Sequence, residues 1–399
     1  MPGVATLPAV PGASILHPSP KDGTKAIVLG THRAFDVETT WKRAEVVLPR
    51  MGVTRVADVT MLDEIGIPVW QAVRPNGTII SVSQGKGVSH DLARVSAVME
   101  AIEHWHAEQE VSIATTDSAA NLRNEITYDT SRLGLAQGSL FTDTRPVAWV
   151  TAIDLVTGKG TLAPRDAVFL SDLKPPDLSG PMFALSTNGL ASGNTQDEAV
   201  LHGLLELIER DLVAAAGKER RNQNPSALLA IDSVDGPCSV MLIEALKSAD
   251  VLVRITNCSV SNVACFAASI WSPTFPFVFN GFGCHFDRDV ALSRALTEAV
   301  QSRLTAISGT RDDLPMSVYR DLQRDHVSVP PWSVDTTKSA VKFNEVFSRL
   351  RPSIPEDIDA ALSVVRARGG ENPVVVDLSN QEIGIPVVRV FAPGLVKGH

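Results

Sequence analysis

The stretch HGLLELIERDL, residues 202–212, combines a helical apolar face with acidic residues at its edge. Its leucines and its isoleucine recur at helical spacing, which predicts a buried face. Glu206 and Glu209 fall at the edge of that face, one helical turn apart. Carboxylates at the border of a buried surface need a positive partner, so the stretch raises the question of what that partner is.

The same arrangement of polar residues on a predicted helix occurs three times along the chain. The segments SAVMEAIE (96–103), HGLLELIE (202–209) and RALTEAVQ (294–301) share one register, with a polar residue first, Glu at +4 and Glu or Gln at +7. At 100° per residue these three positions fall within about 60° of one another and form one polar stripe. The stripe residues are Ser96, Glu100 and Glu103, then His202, Glu206 and Glu209, then Arg294, Glu298 and Gln301.

Apolar and small residues border the first stripe on both sides. Leu92, Val95, Met99 and Ile102 flank one side of it, and Ala93, Ala97 and Ala101 flank the other. A stripe bordered in this way is predicted to line a cleft, because a solvent-exposed stripe would have polar neighbours. The alternative for any single ExxE segment is an ordinary solvated helix face, and that alternative stays open for each stripe taken alone.

Electrostatics favours the cleft. Two glutamates one turn apart, with Cβ atoms about 5–6 Å from each other, repel by roughly 3 kcal/mol at an effective dielectric of 20. Glu198 fits a helix-starting capping box with Thr195, yet it also extends the second stripe by one turn. A partly buried cluster of this kind requires a counter-charge.

Oxygen ligands without nearby cysteines suit hard cations, and Mg²⁺ usually arrives with phosphate oxygens. Positive charge stands at the same helices in Lys86, Arg210, Arg294 and Arg303. The combination predicts a nucleoside triphosphate held by acidic helices through Mg²⁺. The chain has no GxxxxGK[ST] loop and no kinase motif set, so a common ATP fold is excluded.

Composition restricts the class of protein further. The chain has 399 residues, 44% hydrophobic and 20% charged, which suffices for a full core. A net charge of −9 without a basic stripe argues against a nucleic-acid partner. The four cysteines form no CxxC pair, so buried free thiols are expected. No signal peptide or membrane span is evident, which predicts a cytoplasmic protein with a flexible tail over residues 1–24 and a single domain over 25–399.

Strand and helix patterns alternate along the domain and predict an α+β fold. A helix is expected over residues 39–53, and the proline-rich segment 172–182 is expected to be a mobile loop. Paired strands are expected over 67–75 with 77–84, 147–156 with 159–170, and 373–378 with 386–393. Three further strands over 251–286 are expected to precede a long helix that begins near Val290.

These residues resemble the YcaO family, ATP-dependent enzymes that activate peptide backbone amides. SAVMEAIEHW (96–105), preceded by GKG (85–87), is similar to the first family motif, Sx₃ExxER, with His104 where arginine is usual. NGLASGNTQDEAVLHGLLELIERD (188–211) and GCHFDRDVALSRALTEAVQSR (283–303) resemble the second and third motifs, and GTHRAFDVETT (30–40) resembles the segment that reaches the nucleotide. The resemblance implies mixed β-sheets flanked by long helices that surround an ATP and Mg²⁺ cleft.

The resemblance also implies site residues. Metal ligands would be Glu100, Glu103, Glu198, Glu206 and Glu209. ATP contacts would be Arg33, Thr40, Lys86, Ser96, Asn194, His202, Arg210, Arg294, Glu298, Gln301 and Arg303. No general base is identifiable, since His202 could serve as one or could simply pack in the helix.

The implied reaction is phosphorylation of an amide oxygen after a nucleophile adds to the carbonyl carbon. A Cys, Ser or Thr side chain of the peptide would give an azoline, an amine a macroamidine, and sulfide a thioamide. Azoline-forming members commonly end in a PxPxP tail, whereas this chain ends VVRVFAPGLVKGH. Segments 52–75, 301–313 and 384–390 look most like stand-alone members that work beside a TfuA-like protein, which favours thioamide formation.

The implied partners are a peptide or protein substrate, a TfuA-like protein and a second copy of the chain in a homodimer. A different class of function stays open at this point. The chain could bind ATP as an accessory factor for another modifying enzyme, since intact Mg²⁺ ligands do not by themselves require turnover.

Overall fold

A computed structural model of the protein describes residues 23–170, 182–221, 227–311, 320 and 340–395. Seven α-helices occur in these residues. They span Val37–Glu45 (α1), His90–Ala107 (α2), Arg165–Val168 (α3), Gln196–Arg221 (α4), Pro237–Ser248 (α5), Arg288–Ser308 (α6) and Ile354–Ala367 (α7).

Sixteen short strands accompany these helices in the described residues. They span Ala26–Val28 (β1), Thr31–Arg33 (β2), Arg55–Asp58 (β3), Val69–Val73 (β4), Val82–Lys86 (β5), Thr115–Ser118 (β6), Pro146–Asp154 (β7), Gly160–Pro164 (β8), Leu190–Ser192 (β9), Leu228–Leu229 (β10), Leu252–Asn257 (β11), Ala264–Trp271 (β12), Phe279–His285 (β13), Ala340–Val341 (β14), Val374–Asp377 (β15) and Val387–Phe391 (β16).

The strands form four sheets. β1 and β2 make a hairpin, and β3, β4 and β5 make an antiparallel sheet. A five-stranded sheet has the order β13-β12-β11-β10-β14, in which only the β10–β14 pair is parallel among the described strands. Another large sheet has the order β6-β7-β15-β16-β9, with β8 paired to β7. The α+β class predicted from the sequence is confirmed.

All three predicted strand pairs form, but two strands differ from the predicted bounds. The strand expected over 77–84 spans Val82–Lys86, and the strand expected over 159–170 ends at Pro164, where α3 begins. β4 pairs with β5, β7 with β8, and β15 with β16, the last with Val375 opposite Val390. The helix expected near Val290 begins at Arg288. The four cysteines are free and buried, as predicted.

The first helix is shorter than the sequence predicts. The helix expected over 39–53 ends at Glu45 and is followed by a separate 3₁₀ turn over Leu48–Met51, because Pro49 lacks the N–H that a continuing helix would need. Thr24, at the end of the predicted tail, forms a β-bridge with Ser353. Most of that tail (1–22) and nearly all of the predicted loop (172–181) lie outside the described residues.

Buried apolar residues form a separate core around each long helix. One cluster surrounds α2 beneath β4, a second fills the space between α5, α6 and the five-stranded sheet, and a third joins α4 to α7 and β16. A fourth cluster lies under β7 and contains the fully buried Trp149. In the part of the chain that the structure describes, no helix is both long and apolar enough to cross a bilayer.

Glycines in the strands let two of the stripe-bearing helices approach the sheets very closely. A Cβ atom on Gly85 of β5 would lie 2.0 Å from the Ala97 nitrogen of α2. A Cβ atom on Gly283 of β13 would lie 2.0 Å from the Ala291 oxygen of α6. Real Cβ atoms do not make such contacts, so the alanine face of each helix rests directly on strand backbone. The polar stripe beside that face is thereby held at the sheet edge.

We expect Gly283→Ala to destabilise the protein by about 2 kcal/mol or more, because the new methyl group meets backbone that cannot move aside. Gly217→Ala is the control. Gly217 lies within α4 with no atom near its missing Cβ, so alanine should be neutral or stabilise the helix by roughly 0.5–1 kcal/mol. Thermal unfolding of the two variants measures the difference, and equal midpoints would contradict this account of the packing.

Candidate active site

The three stripes converge on one cavity of about 320 Å³. All nine stripe residues line it, although they come from helices that are far apart in the sequence. Every other residue predicted for the site also lines it, with the exception of Arg303. These further lining residues are Arg33, Thr40, Lys86, Asn194, Glu198 and Arg210. The cavity is of the size that small-molecule sites in proteins have.

Backbone N–H groups orient the first pair of stripe carboxylates. Glu100 accepts a hydrogen bond from the Gln84 N–H of β5 at 2.7 Å. Glu103 accepts from the Ser192 N–H of β9 at 2.8 Å and from the Ser192 hydroxyl at 2.7 Å. The two carboxylates of one helix are therefore fixed by two different sheets. This arrangement requires the close helix-to-strand packing described above.

The other two helices repeat this anchoring. Glu206 accepts from the Gly189 N–H at 2.9 Å, and Glu198 accepts from the Ala34 N–H at 2.8 Å. Glu298 accepts from the Phe282 N–H of β13 at 3.3 Å. A hydrogen bond from a backbone amide holds a carboxylate in one orientation and favours its charged form. The cavity wall is thus pre-arranged.

Glu209 is the exception among these glutamates. It is buried, with 5% of its surface exposed, and it makes no hydrogen bond or ion pair with any residue that the structure describes. Burial and the neighbouring Glu298 raise the pKa of Glu209 to about 7. A buried carboxylate without a partner is costly, so its position indicates a cation that binds in the cavity.

Three cations pair with other carboxylates of the wall. The Lys86 ammonium lies 2.8 Å from Glu298, the Arg210 guanidinium 3.6 Å from Glu206, and the Arg33 guanidinium 3.3 Å from Glu198. The ion pair with Lys86 and the nearby arginines hold the pKa of Glu298 below its usual value despite burial. Side chains of both charges thus face the same space, which is what a phosphate bound with a metal ion requires.

Burial dominates the protonation of the remaining groups. It raises the pKa of Glu103 to about 8, partly opposed by the hydrogen bonds from Ser192, and it raises the pKa of Glu206. Burial lowers the pKa of His202 well below its usual value, and the positive charges of Arg33 and Arg294 lower it further. His202 is therefore a neutral imidazole on the cavity wall.

The donor set fits Mg²⁺ bound together with phosphates. No three acidic, histidine or cysteine side chains among the described residues are already close enough to enclose a metal ion. Mg²⁺ is commonly held by one or two carboxylates and completed by phosphate oxygens and water. Glu100, Glu103, Glu198, Glu206 and Glu209 would hold the metal, while Lys86 and Arg294 would contact phosphates. These roles remain predictions.

A network on the α1 side links Thr40 to the acidic wall. The Thr40 hydroxyl donates to the Asn194 side-chain oxygen at 3.0 Å, and the Asn194 amide donates to Glu198 at 3.3 Å. The Glu198 N–H donates to the Thr195 hydroxyl, so Thr195 does start the helix as the capping alternative requires. The Glu198 side chain itself turns to the cavity.

Arg303 corrects one sequence-based prediction. Its guanidinium makes two hydrogen bonds to Asp63, at 2.9 and 3.1 Å, and a third to the Ser272 hydroxyl, while it lies over the Phe275 ring. The side chain is buried and does not line the cavity. Arg303 lies nine residues after Arg294, which turns it away from the stripe, so it has a structural role.

Sequence reasoning missed several residues that shape the site. Gln84 lines the cavity, its carbonyl accepts from the Gln301 side chain at 3.1 Å, and its side chain accepts from Thr305. Arg43 fixes Asn194 through a 3.0 Å hydrogen bond to its carbonyl. Gln84 stands in the SQGKG segment that precedes the first stripe, so proximity to Lys86 was an available signal. Nothing in the sequence pattern distinguishes Arg43 from a surface arginine.

We expect Glu103→Gln to abolish Mg²⁺-dependent nucleotide binding and to alter how stability depends on pH. The folded state keeps the Glu103 proton up to about pH 8, whereas the unfolded chain loses it near the ordinary value of 4.5. The free energy of unfolding of the metal-free protein should therefore fall as pH rises through this window, and fall less steeply in the variant, which cannot titrate there.

Titration calorimetry with Mg²⁺ and AMPPCP measures nucleotide binding. Thermal unfolding at pH values between 4.5 and about 8 measures the pH dependence of stability. The glutamine side chain of the variant can still accept the hydrogen bonds of Ser192, so the fold should persist. Unaltered nucleotide affinity in a folded variant would return Glu103 to the role of an ordinary helix-face residue.

For Arg303→Met we expect a loss of about 3–5 kcal/mol of stability, because Asp63 would stay buried without its counter-charge. The nucleotide dissociation constant should not change below the unfolding temperature. Arg294→Met is the matched control, in which nucleotide binding should weaken while thermal stability is retained. Weakened nucleotide binding in a folded Arg303→Met variant would restore the prediction that Arg303 contacts ATP.

Comparison with known proteins agrees with this geometry. Residues 84–396 match the family model described as YcaO cyclodehydratase, ATP- and Mg²⁺-binding. An uncharacterized protein of Mycobacterium tuberculosis (strain H37Rv) is 41% identical over 378 residues, which cover 92% of this chain and 83% of the relative. A protein of Rhizobium leguminosarum bv. trifolii, named for its place in the tfuA 3′ region, is 32% identical over 383 residues, 91% of this chain and 88% of the relative.

Solved structures share the fold. YcaO from Methanopyrus kandleri, solved with AMPPCP and Mg²⁺, superimposes with a TM-score of 0.68 at 26% identity and covers 94% of this chain and 95% of that chain. A heterocyclase solved with substrate and cofactor gives a TM-score of 0.76 at 20% identity. The alignment covers 94% of this chain but 54% of the heterocyclase, so the protein spans about half the length of that enzyme.

The predicted fold and the predicted family are thus both confirmed. Three acidic stripes that meet in one cavity, and a family match that covers all three, show that the chain belongs to the YcaO family, whose model describes cyclodehydratases that bind ATP and Mg²⁺.

Proposed function

We propose that the protein uses ATP and Mg²⁺ to phosphorylate the oxygen of a peptide backbone amide during maturation of a ribosomally made peptide, and that hydrosulfide is the nucleophile. The observation that carries the proposal is the convergence of the three stripes around Glu209, a buried carboxylate with no protein partner in the described residues. A surface that only packed or bound protein would have no use for such a group.

The chain's own groups divide the work between metal and phosphate. The five glutamates Glu100, Glu103, Glu198, Glu206 and Glu209 would hold Mg²⁺, and backbone N–H groups keep four of them in place. Lys86, Arg210 and Arg294 would share the charge of the phosphates. Bound Mg²⁺ and ATP supply an electrophilic phosphoryl group whose developing charge these residues stabilise. Catalysis is then mainly positioning and electrostatics.

The proposed reaction balances. Hydrosulfide adds to the carbonyl carbon, so a carbon–sulfur bond forms and the carbonyl electron pair moves to oxygen. That oxygen accepts the γ-phosphoryl group and leaves with it when the carbon–oxygen bond breaks. The amide, HS⁻ and ATP give the thioamide, ADP and hydrogen phosphate, and the sulfur-bound proton ends on the phosphate.

The choice of hydrosulfide rests on the relative from the tfuA 3′ region, which is 32% identical over nearly the whole chain. We propose a TfuA-like protein as a partner on the same ground, with a cytoplasmic homodimer as the working form. The second candidate is cyclodehydration, in which a Cys, Ser or Thr side chain of the peptide replaces hydrosulfide. The family description as a cyclodehydratase favours it.

We expect a mass increase of about 16 Da for each modified residue when the protein acts on its peptide with ATP, Mg²⁺ and sodium sulfide, because sulfur replaces oxygen. The peptides to test are the products of small reading frames beside the gene, synthesised in full, with and without a neighbouring TfuA-like protein. Mass spectrometry and phosphate release are measured together. Glu103→Gln is the matched inactive control.

Each other outcome has a definite meaning. Loss of one water per modified residue would overturn the thioamide and establish cyclodehydration. Nucleotide binding without any mass change in the peptides or in proteins of the same gene cluster would overturn the enzymatic proposal in favour of an accessory role.

A further inference from the structure

A second, smaller chamber adjoins the main cavity. It measures about 40 Å³ and lies between α4, the end of β13 and the β1–β2 hairpin. We call it the inner chamber. Arg33, His202 and Arg294 line both spaces, so the two meet along one wall. Its lining also includes His32 and His285, which do not line the main cavity. The motifs that define the stripes do not account for these two histidines.

The size of the inner chamber restricts what it can hold. A site for one water needs about 10–15 Å³, so 40 Å³ accommodates roughly three waters or one small ion. A nucleotide or a peptide segment does not fit. An occupant must also be able to pass into the main cavity, where the amide would react.

His285 brings a hydrogen-bond donor to this space. The residue is 7% exposed, and its Nδ1 atom accepts a hydrogen bond from the Asp287 N–H at 3.0 Å. An accepting Nδ1 carries no proton, so the proton of the neutral ring is on Nε2. Among the described residues Nε2 has no hydrogen-bond partner, although the ring lines the chamber. The Nε2–H group is therefore free to donate a hydrogen bond to an occupant of the chamber.

A second histidine fixes the His285 ring. His32 packs against it edge to face, with ring centroids 4.9 Å apart. The His32 Nε2 atom is 4.0 Å from the Asp287 carboxylate, which is too far for a hydrogen bond. The two rings thus form a packed polar wall. The His285 ring is therefore contacted on two sides, by the His32 ring and by the Asp287 N–H.

One cation of the chamber wall has no anionic partner among the described residues. Arg294 lines the chamber and has no carboxylate within ion-pair distance in the described residues. The buried Lys25 ammonium and Asp357 carboxylate, which also line it, pair with each other, and Arg351 adds a third charge at 3.4 Å from Asp357. Three glutamates reach the shared wall, where Arg33 pairs with Glu198, Arg210 pairs with Glu206, and the Mg²⁺ of the proposed function would neutralise Glu209.

We propose that the inner chamber binds the hydrosulfide anion that the amide consumes, with His285 Nε2–H as its donor and Arg294 as its counter-charge. This inference rests on the proposed function. The bound anion would enter the main cavity past His202, which lines both spaces. Storage beside the metal site would keep the nucleophile within reach of the carbonyl carbon and apart from bulk water.

Two variants of His285 separate its donor from its structural contact. His285→Asn keeps an acceptor for the Asp287 N–H but places no donor where Nε2 lies. His285→Gln restores an N–H donor near that position. His106→Gln is the control, because His106 is also buried, hydrogen bonds to the Ile102 carbonyl and lines neither chamber.

The first test needs no peptide. Crystals of the complete protein grown with Mg²⁺ and AMPPCP are soaked in sodium bromide, since bromide is a small monovalent anion with anomalous scattering. We expect an anomalous peak within hydrogen-bond distance of His285 Nε2 in the wild type and in His106→Gln, and its loss in His285→Asn. No peak in the wild-type chamber, or the same peak in His285→Asn, would overturn the proposal.

The second test is kinetic. With the peptide that the wild type converts to a thioamide, His285→Asn should raise the KM for sulfide by roughly tenfold or more, as expected for a lost hydrogen bond to a charged group. Its kcat at saturating sulfide and its affinity for AMPPCP should stay close to those of the wild type, and His285→Gln should recover most of the KM. An unchanged KM for sulfide in His285→Asn would overturn the proposal that the inner chamber binds hydrosulfide.

The two proposals fail in different ways. A wild-type protein that binds bromide in the chamber but makes no thioamide refutes the proposed reaction, and with it the assignment of hydrosulfide as the bound anion. If the wild-type protein makes thioamide and the His285 variants do not change the KM for sulfide, only the proposal that the inner chamber binds hydrosulfide is refuted.

Discussion

Several carboxylates of this protein must lie close together beside a cavity and away from bulk water, and the packing of the long helices serves that requirement. Mutual repulsion and desolvation of the carboxylates both oppose folding. The chain meets this cost by bringing the helices onto strand backbone through glycine and alanine contacts, at Gly85 with Ala97 and at Gly283 with Ala291. Strand N–H groups then reach the carboxylates, and lysine and arginine side chains balance part of the charge.

The charge balance of the cavity is incomplete, and that incompleteness links stability to ligand binding. Glu209 has no partner in the described residues, and Glu103 retains its proton to about pH 8. Metal binding would displace the Glu103 proton, so the affinity for a nucleotide with its Mg²⁺ should rise with pH, and the bound nucleotide would in turn stabilise the fold. Arg303 differs from Glu209, because it is fully paired with Asp63 and does not line the cavity.

The two spaces beside α4 serve different requirements. The main cavity has acidic walls with a few cations and fits a ligand that brings its own metal and negative charge. The inner chamber has two histidine rings, an N–H donor and an arginine without an ion-paired carboxylate in the described part of the chain, which are the groups that we propose hold a small anion. His202 and Arg294 belong to both walls, so a ligand in one space contacts side chains that also line the other. The proposed reaction adds a small nucleophile to an amide carbon and then phosphorylates the oxygen of the adduct, so it would use two adjacent compartments of this kind.

Local residue patterns were enough to predict the three stripes, the helices that carry them, the main strand pairs and the family, because helical periodicity and motif spacing are written in neighbouring residues. They placed every proposed site residue at the cavity except Arg303, whose position nine residues after Arg294 turns it to another face. The folded chain was needed to show which backbone N–H meets which carboxylate, that Glu209 stays unpaired among the described residues, and that His32 packs against the distant His285. Contacts between distant segments depend on how sheets and helices stack, and no local pattern encodes that geometry.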